Sequence, residues 1–159
     1  MRYSNFLKIG AIAFVVALAP VTSASSSDHD EIANAVMALA KSQWAAEMSG
    51  KSAREQMQTV ADDYTEFNPA FLTRVDGKAM ITRVAAVEST EKTVFADMQN
   101  PKVQVYGDTA ILTYNYAGMM KGPDGTVKPN IAKSTRVYVN MGDAWKLVHA
   151  HFSTIPSGN

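Results

Sequence analysis

Cysteine is absent from the 159-residue chain. No disulfide can brace the fold, no thiol can act as nucleophile or metal ligand, and no lipid can be attached at a cysteine after processing. Stability must come from packing. Charge of one sign is lacking too: 15 basic residues face 15 acidic ones, scattered rather than clustered. That leaves no electrostatic footprint for a nucleic-acid backbone or an anionic lipid surface, so neither is expected as a partner. A membrane-spanning run is also missing. The apolar stretch Ile9 to Ala19 has 11 residues, against the ~20 that a spanning helix requires. Histidine is scarce, with three in all, and no Gly-x-Ser-x-Gly elbow occurs.

The start of the chain has a different use. Arg2 and Lys8 form a basic lead-in, the apolar stretch follows, and Thr22-Ser23-Ala24 supplies small residues for cleavage. This is the pattern of an export signal over 1–24, with a polar linker at 25–29, one domain over 30–154 and a tail at 155–159. The expected location is periplasmic or secreted, with no membrane attachment after cleavage. Removing Arg2 and Lys8 leaves 13 basic against 15 acidic residues, a formal charge of −2.

The 47% apolar content is ample for a core. Ile32, Val36, Leu39, Ala40 and Trp44 recur at helical spacing, with Asp28 or Asp30 as N-cap and Gly50 as the stop. Ser52-Ala-Arg-Glu55 has the form of a capping box, which predicts a second helix burying Met57, Val60, Ala61 and Tyr64. Asp62, Asp63 and Glu66 then fall at its solvated end. Asp76-Gly77 marks a turn into a third helix, Lys78 to Val87, with Met80, Ile81, Val84 and Val87 inward. After Thr93 the residues are those of strands: Val94–Met98, Lys102–Tyr106, Ala110–Ala117, Ile131–Met141 and Ala144–Ser153. Asn100-Pro101, Gly107-Asp108, Gly122 to Gly125 and Gly142-Asp143 punctuate them. The predicted class is α+β, three N-terminal helices packed on a strongly curved antiparallel sheet.

A two-residue loop at Gly142-Asp143 pairs Met141 with Ala144, and counting back sets Arg136 opposite His149 and Ser134 opposite His151. Tyr138, Leu147 and Trp145 then share that face; Val137, Val139, Val148, Ala150 and Phe152 occupy the other, which a second subunit could cover. A His-x-His on a strand points both rings one way. Without a third ligand in the fold body it makes no metal site, and no metal or cofactor is expected. His149 or His151 could serve as acid or base. Large aromatic residues such as Trp44, Tyr64, Tyr114 and Tyr116 are more often core than ligand contacts.

Asn100 to Asp108, Ser134-Thr-Arg-Val-Tyr138 and Trp145 to Ser153 together resemble the association domain of calcium/calmodulin-dependent protein kinase II, within the nuclear transport factor 2-like superfamily that includes SnoaL-like cyclases. The likeness spans about residues 30 to 154. It implies a cone-shaped fold with a pocket between a bent sheet and a long helix, and assembly into dimers or rings. In the kinase domains several arginines line that pocket. Only Arg136 carries over, with Tyr116 and Phe152 where others would stand. One cation suits a singly charged carboxylate better than a multiply charged anion. The expected ligand set is therefore Arg136, His149, His151, Tyr116, Tyr138, Trp44, Tyr64 and Phe152. The expected function is a self-associating, small-molecule-binding protein rather than an enzyme; the alternatives are an acid–base cyclase, dehydratase or isomerase, and a pure oligomerising scaffold.

Overall fold

The first helix, α1, runs from Ser26 to Met48. A computed structural model of the protein describes residues 26–87, 90–142 and 144–155; the expected export signal and Asp143 lie outside them. The polar residues expected as a linker instead form the opening turns of α1, so Asp28 and Asp30 sit inside the helix rather than capping it. Asp28 in the first turn still faces the positive end of the helix dipole. Val36, Ala40 and Trp44, spaced four apart, make the buried stripe, with Ile32 and Leu39 half-buried beside it. Gly50, at φ +71°, closes the helix. Its own N–H bonds to the Glu47 carbonyl, and the Lys51 N–H bonds to the Ala46 carbonyl at 2.9 Å, a closure that needs the left-handed conformation glycine adopts freely.

The capping box forms as read. Ser52 Oγ accepts from the Glu55 N–H, and the Glu55 carboxylate accepts from the Ser52 N–H at 3.0 Å. The helix it starts, α2, is nevertheless only Ala53–Gln56. Val60, Ala61 and Tyr64, expected on its buried stripe, belong to strand β1, Val60–Phe67. β-Branched and aromatic residues suit a pleated surface, and β1 gains its partners from β2 (Val75–Asp76) and from the far end of the chain. Those partners are invisible to a local reading. Helix α3, Lys78–Ala85, follows Gly77 and buries Ile81, with Val84 half-buried; Met80 and Val87, expected inward, are exposed.

Four long strands follow: β3 (Lys92–Tyr106), β4 (Thr109–Lys121), β5 (Val127–Asn140) and β6 (Trp145–Thr154). Asn100-Pro101 does not divide two strands. It is an irregularity within β3, where the register against β4 jumps between Gln99 and Lys102. The sheet order is β2-β1-β6-β5-β4-β3. β1 and β6 run parallel while the other neighbours are antiparallel, so the sheet is mixed rather than wholly antiparallel. The class is α+β. Helix α1 lies against β3 and β4, and the core between helix and sheet includes Ala110, Leu112, Tyr138, Leu147 and Ala150.

Candidate functional site

The β5–β6 hairpin decides which side chains meet. The Met141 N–H bonds to the Ala144 carbonyl at 3.0 Å, and the pairs Asn140↔Trp145 and Tyr138↔Leu147 follow the tight-loop count. Then the register shifts, because Val148 is an extra residue. Beyond it Val137 pairs with His149, Arg136 with Ala150, Thr135 with His151 and Ser134 with Phe152. A one-residue slip moves every later side chain to the opposite face. The expected pairs Arg136–His149 and Ser134–His151 therefore do not form. Ala150 and Phe152, expected on the far face, lie with Arg136 on the core side, and both histidines turn away from it.

Arg136 is 5% exposed. Its Nε donates to the Tyr114 hydroxyl at 2.9 Å and its Nη1 to the Gln43 side-chain oxygen at 2.6 Å. The guanidinium carbon lies 5.9 Å from the Trp44 ring and 5.5 Å from the Phe152 ring. Trp44 in turn packs edge-on to Tyr114 and Tyr116, at 5.6 and 5.4 Å. No ion pair to Arg136 occurs among the described residues. Burial works against its charge, but Tyr114, Tyr138 and Tyr64 around it favour the cation, and the net direction is upward, so it keeps its proton. The Tyr138 hydroxyl, deep beside it, has no hydrogen-bond partner among the described residues.

Two members of this interior were not foreseen. Gln43 stands three residues after Ala40 and seven after Val36, so it edges the buried stripe; that spacing was available in the sequence. Glu66, expected on a solvated helix end, is 6% exposed on β1, whereas Asp62 and Asp63 are exposed. Tyr64 donates to Glu66 Oε2 at 2.6 Å and Asn68 to Oε1 at 2.9 Å. Burial first, and the Glu66 charge next, push the Tyr64 phenol far above its ordinary range. Burial, followed by the charge of Glu47, pushes Tyr116 up to about 12. Both phenols stay protonated as donors.

Of the eight expected ligand residues, Trp44, Tyr138 and Phe152 gather at Arg136, Tyr116 joins through Trp44, and Tyr64 lies within its field. His149 and His151 do not. On the opposite face His149 Nδ1 meets Thr65 Oγ1 at 2.8 Å, and Phe67 packs against both rings, 6.1 Å from His149 and 5.6 Å from His151. Partial burial, then the neighbouring His151, lowers the His149 pKa and favours the neutral ring. Among the described residues no group of three or more His, Asp or Glu is placed to hold a metal ion.

The described residues form concavities of about 360 and 310 Å³ that Arg136 does not line. Around the guanidinium stand Tyr114, Gln43, Trp44 and Phe152. Gln43, which accepts from the guanidinium, is half-buried on α1.

Tyr116 owes its position to Gly118. A Cβ at Gly118 would lie 2.5 Å from the Tyr116 ring, an overlap of ring carbon rather than of a flexible chain end. Gly118→Ala is expected to push Tyr116 off Trp44 and to cost roughly 1–3 kcal/mol, the usual penalty of overpacking. Denaturant unfolding measures it; an unchanged midpoint would show that Tyr116 has room to relax.

A family model described as the calcium/calmodulin dependent protein kinase II association domain matches residues 32–156. A search of curated protein sequences finds no match. Among solved structures, the CaMKII hub of S. rosetta is 30% identical with a TM-score of 0.64, covering 77% of this chain and 95% of that one. The association domain of C. elegans CaMKII is 18% identical, with a TM-score of 0.67 and coverage of 81% and 100%. A protein of the NTF2-like family from Streptomyces avermitilis is 19% identical, with a TM-score of 0.71 and coverage of 81% and 99%. The last two likenesses speak to the fold.

Proposed function

The chain belongs to the calcium/calmodulin dependent protein kinase II association domain family, and from that premise we propose that it is an exported, self-associating domain that holds a small carboxylate against Arg136. One observation carries the ligand half of this reading: a buried guanidinium that, among the described residues, is bonded only to neutral groups. Removing a cation from water costs several kcal/mol unless an anion compensates it. Tyr114 and Gln43 occupy two of the five N–H groups, which leaves a fork for a carboxylate. Trp44, Tyr138 and Phe152 provide the apolar walls that a ligand with an aromatic or aliphatic body would contact.

Self-association is supported by the description of the family as an association domain and by the outer sheet face. There Ile111, Val137 and Val139 sit in register and remain half-exposed, an apolar strip that a second copy would cover. Export is supported by the basic and apolar start of the chain.

Native mass spectrometry of the protein secreted by its own host tests all three parts together. The expected spectrum shows a mature chain beginning at Ser25, at least two copies, and a small acidic adduct. A strict monomer at micromolar concentration would remove the assembly claim, an intact Met1 the export claim, and an adduct-free chain that also takes up no added carboxylate the ligand claim.

A further inference from the structure

The outer face of the sheet carries an arrangement that the interior reading leaves unused. Thr113 of β4 pairs with Thr135 of β5, which pairs with His151 of β6. Two residues along, Asn115 pairs with Lys133, and Lys133 with Ser153. Residues two apart on a strand share a face and stand about 7 Å apart, while adjacent strands are about 4.8 Å apart. The six side chains therefore make two parallel banks. Between them lies a trench of about 360 Å³ whose lining includes Tyr114 and Ser134, the residues of the intervening row, and it is closed on the β3 side by Asn100.

Asn100 is independently unusual. It is the one non-glycine residue with positive φ, +48°, among the described residues, and it precedes a proline, whose ring restricts the residue before it to extended conformations. The residue is exposed, so no buried contact offsets the strain. Bulges at such positions redirect a side chain, and strained backbone concentrates where a protein binds something.

The lining has a definite chemistry. Hydroxyls of Thr113, Thr135 and Ser153 and amides of Asn100 and Asn115 both donate and accept hydrogen bonds. Lys133 adds a cation that makes no ion pair among the described residues, and no Asp or Glu lines the trench. A bare anion would use only donors, and an apolar molecule neither. We propose that this trench binds a small hydroxylated molecule bearing one negative charge, with a sugar acid as the simplest case. The carboxylate meets Lys133 and the ring hydroxyls bridge the two banks. Ile111 and Val137 lie two residues further along the same strands, and Val139 four.

Calorimetric titration of the full chain with glucuronate and with glucose tests this site separately from the interior one. Glucuronate is expected to bind more tightly than glucose. Lys133→Ala should weaken glucuronate roughly tenfold or more, because it removes a charge-assisted hydrogen bond, and Thr135→Val should weaken both sugars. Lys133 is exposed, so the variant retains its fold, which circular dichroism confirms. Three results would overturn the proposal: no heat with glucuronate, equal affinity for glucose, or binding lost in Arg136→Met but kept in Lys133→Ala, which would place the ligand in the interior.

Discussion

Replacing Arg136 with methionine is expected to abolish carboxylate binding while leaving the fold about as stable as the parent. The two consequences separate because the guanidinium does two unlike things. As a charge it is a burden on folding: it is 5% exposed, its partners are the neutral Tyr114 and Gln43, and no ion pair among the described residues compensates it. Apolar residues of similar volume in such positions are often neutral or stabilising by ~1–4 kcal/mol. As a volume it supports Trp44 and Phe152, and methionine is long enough to keep that contact. Arg136→Ala keeps neither property, and a cavity of that kind costs about 2–5 kcal/mol. Thermal melts of both variants beside calorimetry with benzoate decide the matter. If the methionine protein binds benzoate as the parent does, Arg136 is not the anchor; if it fails to fold, the cation is needed for folding itself.

Trp44→Ala should be the most damaging single change in α1. The indole fastens the helix to the sheet, touching Tyr114 and Tyr116 edge-on and lying over Arg136, and the rest of the fully buried stripe is only Val36 and Ala40. Truncating a buried tryptophan costs about 3–5 kcal/mol, which in a domain of this size lowers the melting temperature by roughly 10 to 20 °C. Val36→Ala removes far less and serves as the comparison. Equal melting temperatures for the two variants would show that the helix is held elsewhere.

Local signals were readable wherever the chain makes its own partners. The α1 stripe, the Gly50 stop, the Ser52–Glu55 box and the β3–β6 hairpins all rest on neighbours within a few residues, and each appears where periodicity or turn chemistry sets it. What was misread depends on distant pairing. Val60 and Tyr64 suit a helix face four apart as well as a strand, and only β6 decides for the strand. Glu66 followed the same error: two residues after Tyr64 on a strand it shares the buried face, whereas two residues on in a helix it points away. The histidines failed for a smaller reason. The loop count at Gly142 was right as far as Tyr138, and one extra residue at Val148 then exchanged the faces. No residue type marks that position, since valine is an ordinary strand former.

The parallel contact between β1 and β6 has a kinetic meaning. Thr65 and His149, which touch across it, are 84 residues apart in the chain, so one edge of the sheet waits for the last strand to be synthesised. Closing so long a loop is slow, and the unpaired edges of β1 and β6 stay sticky until it happens. A protein threaded through a membrane from its amino end would emerge β1 first, and would depend on a holding chaperone on the far side until β6 arrives.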